Sequence, residues 1–464
     1  MSQQRPAAAS EGFTRNSGSV GRRKIVFVGA SYLFVHRVLR DMLLAGGFED
    51  CRIVVHDIDP EPMNVVGDLL ERIARQKKTN IEVSRTLDRA EALDGADLVV
   101  LSITVGGRES DQRSFEVCAK YGVPAGIGDT MGPMALARNL RTVPECVAIA
   151  RDMEKHCPHA VLLNFTNPMS ALTGAVNRYT AIPCWGLCHS ADALYEYFAR
   201  IFNAPKSQVK LNIGGVNHQA FVSGLWIDGN DRTGEILAAS QASDATLADE
   251  VMDKEEEAAL QQDLYRVLGA WPSTGGTHAA EFYRWFFTPR RIDEKNLRED
   301  RWKIIPGRGP MPRKTCPEII HQWAYGPEPV GDLHLMTNEH AHELMWAALT
   351  GEPFTRVLNV MNDVDGRPLI EGLPSDACVE ALVTVNGKEV TGETIQLPTV
   401  ITALLHTWTS IHDLSICAAM ECDRKLAAQA LALDPHVSDL YDIEPMVEDF
   451  VIALKPWLGD GWTK

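Results

Sequence analysis

Short apolar, β-branched runs alternate with amphipathic stretches through the first part of the chain. Lys24-Ile25-Val26-Phe27-Val28-Gly29 is the first such run, and Arg52-Ile53-Val54-Val55-His56-Asp57 the second. Further runs lie at Ile81 to Ser84, Asp97 to Ser102, Ala160 to Asn164 and Cys184 to Leu187. A strand apolar on both faces is what a parallel sheet covered by helices on each side requires. Helical spacing of apolar residues follows several of these runs, from about Phe34 to Leu44, Met63 to Arg75 and Ala135 to His156. Strands and helices alternating at this rhythm predict an α/β fold with a doubly wound parallel sheet of Rossmann type.

After about Asn203 the pattern changes. Val209 to Ile213 and Ala220 to Trp226 read as an antiparallel strand pair, and Asp244 to Leu268 as a charged helix. Trp271 to Thr277 is turn-rich. Val379 to Val385 and Lys388 to Thr391 flank Asn386-Gly387, a pair that favours the tight primed turn of a hairpin. Thr402 to Leu433 and Ile443 to Leu458 read as helices. The expected organisation is a disordered extension over 1–23, a nucleotide-type domain over 24–203 and an α+β substrate domain over 204–464. A chain of 464 residues has the length for two such bodies.

Composition narrows the partners. The chain is 45% hydrophobic and 23% charged, with a formal net charge of -17. Such an acidic surface argues against nucleic acid, since phosphate contacts need basic side chains. No apolar run approaches the ~20 residues that span a bilayer, and Met1 to Arg23 lacks the apolar core of a secretory signal. The 10 cysteines show no paired CxxC spacing, which reads as reduced thiols and a cytoplasmic protein.

Two groups of residues carry candidate chemistry. The turn Gly29-Ala30-Ser31, with Phe34 just beyond, joins a strand to a helix, where backbone N–H groups and the helix N-terminus receive a pyrophosphate. Asp57 closes the second strand, where a carboxylate accepts hydrogen bonds from an adenosine ribose and favours NAD. Asp57 alone also suits a helix N-cap. The second group is Cys188 and His218, each placed after a predicted strand. A cysteine is commonly a small core residue and a histidine commonly structural. As a pair they offer a thiolate and an imidazole with open positions, a set suited to Mn²⁺, Fe²⁺, Co²⁺ or Ni²⁺. Asn167-Pro168 follows the fifth strand and sets an amide at the strand's carboxyl end, where doubly wound folds bind ligands.

The sequence resembles the family 4 glycoside hydrolases, which use NAD and a divalent metal. The resemblance runs from Lys24 to about Trp457. It rests on Val105-Gly106-Gly107, Asp129-Thr130-Met131-Gly132-Pro133, Asn164 to Met169, Gly186-Leu187-Cys188-His189-Ser190 and Asn217-His218. Thr350-Gly351-Glu352-Pro353, Asn359, Asn362 and Leu373-Pro374 add to it. The resemblance implies a lactate/malate dehydrogenase-like fold, Cys188 and His218 as metal ligands, and Asn167, Asp129 and His189 at the sugar. Cys-His-Ser at 188–190 is similar to the α-galactosidase and α-galacturonidase branch and differs from the 6-phospho-glycosidases. The implied substrate is therefore a non-phosphorylated α-hexoside or α-hexuronide, and the implied assembly a homodimer or homotetramer.

The implied reaction is redox elimination. NAD⁺ takes hydride from C3, a metal holding the C2 and C3 oxygens acidifies the C2 proton, a base removes it, and the aglycone leaves from C1. Water then adds and NADH returns the hydride. NAD-dependent glycosidases stand outside the two-carboxylate scheme, so the lack of an obvious carboxylate pair does not count against cleavage. The family's base falls in the stretch matching Gly275 to Trp285, where His278, Glu281 and Tyr283 are chemically able. We favour His278, with His189 as a second catalytic candidate. One alternative is an NAD-dependent 2-hydroxy-acid or sugar dehydrogenase, which would leave Cys188 without a task. Another is a sugar- or nucleotide-binding relative without turnover.

Overall fold

The computed structural model describes residues 18–32, 34–123, 130–188, 190–243, 254–275, 278–279, 282–286, 315–331, 333–337 and 340–463. The first half builds β1 (Lys24–Val28), β2 (Arg52–His56), β3 (Glu82–Thr86), β4 (Leu98–Leu101), β5 (Val161–Asn164) and β6 (Cys184–Gly186). They lie in the order β3-β2-β1-β4-β5-β6, all parallel. This is the dinucleotide-fold order, with its reversal point between β1 and β4. The apolar runs lie inside as expected: Ile25, Val26, Leu98, Leu162 and Leu163 are fully buried. β3, at the edge, is half-exposed, and begins one residue later than its apolar run suggested.

Helices α1 (Val35–Ala45), α2 (Pro60–Lys77), α3 (Arg89–Leu93), α4 (Gly107–Lys120), α5 (Gly132–His156) and α6 (Met169–Tyr179) connect these strands, and α7 (Ser190–Ile201) follows β6. Packing begins before Lys24, the expected start of folded structure. Val20 is buried and its amide bonds the Gly47 carbonyl at 2.9 Å.

The second half adds β7 (Val209–Val216), β8 (Gln219–Ile227), β9 (Asn230–Asp231), α8 (Ile236–Gln241), α9 (Lys254–Leu268), β10 (Trp271–Pro272), α10 (Thr315–Tyr325) and α11 (Ala341–Thr350). Beyond them come β11 (Phe354–Met361), β12 (Asp363–Val364), β13 (Arg367–Pro368), β14 (Cys378–Asn386), β15 (Glu389–Gly392), α12 (Thr399–Glu421), α13 (Arg424–Leu433) and α14 (Leu440–Leu454). Its strands do not form a separate sheet packed on the first half. They extend it beyond β6 in the order β6-β11-β14-β7-β8-β10, with antiparallel pairing throughout. The link is β11, whose Asn359 pairs with Gly186. No strand was expected at β11.

The hairpin forms, but its turn lies one residue later than expected: Asn386 still pairs, opposite Glu389, and Gly387 at φ 63 and Lys388 make the turn, because the glycine takes the left-handed position. The helical run expected over Thr402 to Leu433 is two helices. Cys422 adopts φ 56, and the Asp423 carboxylate accepts the amides of Lys425 and Leu426 at 2.6 and 3.1 Å. A side-chain cap of this kind starts a new helix where apolar spacing alone reads straight through. Among the described residues, no helix is long and apolar enough to cross a membrane.

Candidate functional site

Cys188 lies two residues past the end of β6, and His218 occupies the two-residue turn between β7 and β8 at φ 63. The fold brings the two together across 30 residues of sequence, with Cys188 Sγ 3.2 Å from His218 Nε2. Metal–thiolate and metal–imidazole bonds run about 2.3 and 2.0–2.1 Å, so two ligands at neighbouring positions on one ion sit a little over 3 Å apart. The observed spacing fits that set. Among the described residues no group of three or more His, Cys, Asp or Glu gathers to enclose an ion. A pair of protein ligands leaves positions for substrate oxygens, as a catalytic metal needs.

His218 Nδ1 is also engaged. Thr130 Oγ1 lies 3.1 Å from it and His278 Nε2 2.6 Å. A partner on the outer nitrogen sets the tautomer and aim of a ligating imidazole. His278 thus sits directly behind His218, its ring also edge-on to Phe282 at 6.0 Å between centroids. Thr274 Oγ1 donates to the His218 carbonyl at 3.3 Å. Tyr283 is buried and donates its hydroxyl to Gln219 Oε1, and burial pushes its phenol well above the ordinary range. A phenol so held is a poor base.

Behind the pair lies a buried polar network that the sequence reading missed. Glu380 Oε2 accepts Asn217 Nδ2 at 2.8 Å and Asn359 Nδ2 at 3.0 Å. Ser170 Oγ accepts the Asn217 amide at 3.0 Å and donates to Asn359 Oδ1 at 3.1 Å. Burial raises the Glu380 carboxyl above its ordinary range, against the lowering effect of the Asn217 bond, the nearby His218 and the Asn359 bond. The signal was present in Cys378-Val379-Glu380-Ala381-Leu382-Val383, where one acid interrupts an apolar strand. Acids are rarely buried unless paired.

The nucleotide turn has the expected shape. Gly29 adopts φ 99, and a Cβ there would lie 2.0 Å from the Ser102 carbonyl oxygen. Its glycine is therefore required by the close approach of β4. The Asp57 carboxylate accepts the Ala30 amide at 2.7 Å and the Asp59 amide at 3.0 Å. Each oxygen keeps a further lone pair for a ribose hydroxyl. The Ser31 carbonyl accepts the amides of Phe34 and Val35 at 3.3 Å each, and no side chain caps α1. The Phe34 ring is buried against Phe165 at 4.3 Å, so it shapes the floor between the turn and the Asn167 loop.

Asn167 follows β5, with a cis bond to Pro168. Its loop is fastened by Asn164, which accepts the Thr166 amide at 2.8 Å and donates to Thr173 Oγ1 at 3.1 Å. Asp129, His189 and Glu281 lie outside the described residues. Arg113 and Arg138 have structural partners. Arg113 donates to the Ala453 carbonyl at 3.0 Å, and Arg138 to Asp111 at 2.7 Å, which also holds Arg141 at 2.5 Å.

The family model described as "Family 4 glycosyl hydrolase" matches residues 24–204, and its C-terminal domain model matches 213–437. The chain belongs to the family 4 glycosyl hydrolases. This family 4 glycosyl hydrolase is 32% identical to an alpha-galactosidase of Bacillus subtilis (strain 168), over 94% of this chain and 99% of that one. It is 25% identical to an alpha-galacturonidase of Lachnoclostridium phytofermentans, over 97% and 99%. An alpha-glucosidase of Erwinia rhapontici is also 25% identical, over 94% and 99%. A 6-phospho-alpha-glucosidase from gut microorganisms, solved with NAD and Mn²⁺, superposes with a TM-score of 0.77 at 18% identity, over 94% of this chain and 99% of that one. The 6-phospho-beta glucosidase of Thermotoga maritima, solved with manganese, NAD⁺ and glucose-6-phosphate, gives 0.75 at 20% identity, over 94% and 99%. These two likenesses speak for the fold.

Proposed function

We propose that this family 4 glycosyl hydrolase cleaves non-phosphorylated α-linked hexosides or hexuronides, of galactoside, galacturonide or glucoside type, using NAD and Mn²⁺ or a related divalent ion. The observation that carries the proposal is the Cys188–His218 pair at 3.2 Å, backed by oriented partners on the outer nitrogen of His218. When bound, NAD⁺ accepts hydride from C3 and the ion polarises the oxygens at C2 and C3. Cys188 and His218 hold the ion. The Gly29-Ala30-Ser31 turn and the N-terminus of α1 hold the pyrophosphate, and Asp57 the adenosine ribose. Asn167, Asp129 and His189 orient the sugar. His278 is the proposed base for the C2 proton, and its Nε2 lies 2.6 Å from His218 Nδ1. We infer a homodimer or homotetramer acting in the cytoplasm.

That same 2.6 Å contact favours a second reading of one residue. With His218 bound to metal through Nε2, its Nδ1 carries a proton and donates to His278, which then orients the ligand.

The test of the main proposal is hydrolysis of a panel of p-nitrophenyl α- and β-glycosides, uronides included, with and without NAD⁺, Mn²⁺ and a reductant. Nitrophenol release that needs both cofactors and leaves no net NADH is the expected result. Steady NADH from a free hydroxy acid or sugar, with no glycoside cleaved, moves the assignment to a dehydrogenase. Binding without turnover moves it to a sugar- or nucleotide-binding relative.

Asp57→Ala isolates the nucleotide half. A hydrogen bond to a charged group contributes about 1.5–3 kcal/mol, so NAD⁺ binding should weaken on the order of 10- to 100-fold. Calorimetric titration with NAD⁺ measures this. An unchanged Kd leaves Asp57 as a fastener of Ala30 and Asp59 alone.

A further inference from the structure

We propose that Glu380 is a positioning residue that sets the spacing of Cys188 and His218 by tying together the strands that carry them. The proposal rests on the metal reading of that pair. In the sheet, β6 and β7 are separated by β11 and β14, in the order β6-β11-β14-β7. One row of pairing crosses all four: Gly186 faces Asn359, Asn359 faces Glu380, and Glu380 faces Gly215. Cys188 follows that row on one side, and His218 follows it on the other.

Glu380 lies within this row and reaches both flanks. Its Oε2 holds the side chain of Asn359, the partner of Gly186, and that of Asn217, the residue before His218. Ser170 closes the loop by bonding the Asn217 backbone and the Asn359 side chain. All four residues are buried. On the β6 side the fit is tight. A Cβ on Gly186 would stand 2.9 Å from Asn359 Cβ and 2.7 Å from Met169 Cγ. On the β7 side the network grips the backbone one residue from the left-handed turn of His218. Moving Glu380 therefore frees both ends of the pair at once.

A buried acid is a costly way to fill space in a strand of Val, Ala and Leu, because burial without full pairing penalises it. Among the described residues, its other oxygen, Oε1, has no hydrogen-bond partner. An apolar residue here would bind neither asparagine. The chemistry that remains is the fixing of two amides by one acceptor.

The test is Mn²⁺ affinity of the intact protein, read by electron paramagnetic resonance titration, with NAD⁺ affinity and the melting temperature measured beside it. Glu380→Ala should weaken Mn²⁺ several-fold, by up to the roughly 10- to 100-fold seen when a direct partner of a metal ligand is removed. NAD⁺ affinity should hold. Glu380→Gln keeps an acceptor for both asparagines and should bind Mn²⁺ close to the wild-type value. Ser170→Ala, a smaller lesion in the same network, should shift Mn²⁺ in the same direction and guards against misfolding of the alanine variant. Val379→Ala, on the other face of β14, is the control for general loosening of the strand and should leave Mn²⁺ unchanged. Unchanged Mn²⁺ affinity in both Glu380→Ala and Ser170→Ala overturns the positioning role, as does an equal loss in Val379→Ala. A wild-type protein that takes up no Mn²⁺ overturns the metal reading itself, and the positioning role with it.

Discussion

Cys188→Ser is expected to abolish glycoside cleavage while leaving NAD⁺ binding close to that of the wild type. The substitution is nearly isosteric, but a serine hydroxyl stays protonated at neutral pH and is a far poorer ligand than a thiolate for a first-row transition metal. Losing the ion removes several kcal/mol of charge stabilisation at the reacting oxygens, or on the order of a thousandfold or more in rate. The nucleotide half should not register the change. Asp57 follows β2 and Cys188 follows β6, and the sheet order places β1, β4 and β5 between them. Four strand spacings amount to about 19 Å, beyond the reach of ordinary coupling between substitutions. Mn²⁺ titration, NAD⁺ titration and nitrophenol release on one preparation check this. Equal loss of NAD⁺ and Mn²⁺ affinity would count against the metal role and point to a collapsed site. Retained cleavage with Mn²⁺ still bound would remove Cys188 from the ligand set.

The parts of this architecture legible in the sequence are those set by local pattern. β1, β2, β4 and β5 are apolar on both faces because helices cover both sides, and such runs stand out in any reading. The turn at Gly29 was legible because a backbone at φ 99 admits little else. β11 was not legible. Phe354-Thr355-Arg356-Val357-Leu358-Asn359 mixes a buried arginine and a buried asparagine into a strand, and each is satisfied only by residues distant in sequence. Arg356 pairs with Asp192 in the first turn of α7, and Asn359 with Glu380. Those tertiary partners turn a polar-looking stretch into the strand that joins the two halves of the sheet.

Cys188 and His218 were legible because their residue types are scarce and reactive. Their partners Thr130, Ser170 and Glu380 are ordinary residues whose significance comes only from what the fold sets beside them. One consequence is that the site needs both parts of the sheet. A Rossmann-type half alone supplies Cys188 and Asn167 but not His218, His278 or Glu380.

His278→Ala should slow exchange of the C2 proton with solvent by about 10² to 10⁴, the range for loss of a positioned base, with a much smaller effect on substrate binding. The measurement is deuterium incorporation at C2 of the product sugar, followed by NMR at saturating Mn²⁺. Saturation matters because His278 stands 2.6 Å from His218 Nδ1 and its removal also disturbs the ligand. Loss of that partner alone should weaken Mn²⁺ about 10- to 100-fold and be overcome by added metal. A deficit in exchange that persists with the metal site full therefore belongs to proton transfer. A deficit that disappears assigns His278 to holding His218. His278→Gln separates the two further. Its amide oxygen accepts the proton on His218 Nδ1 as the imidazole does, so Mn²⁺ affinity returns, but an amide does not take up the C2 proton at neutral pH. Restored affinity with exchange still slow fits the base. Exchange at the wild-type rate in His278→Gln shifts the search for the base to other groups near C2, since Tyr283 is held by Gln219 and its phenol is raised by burial.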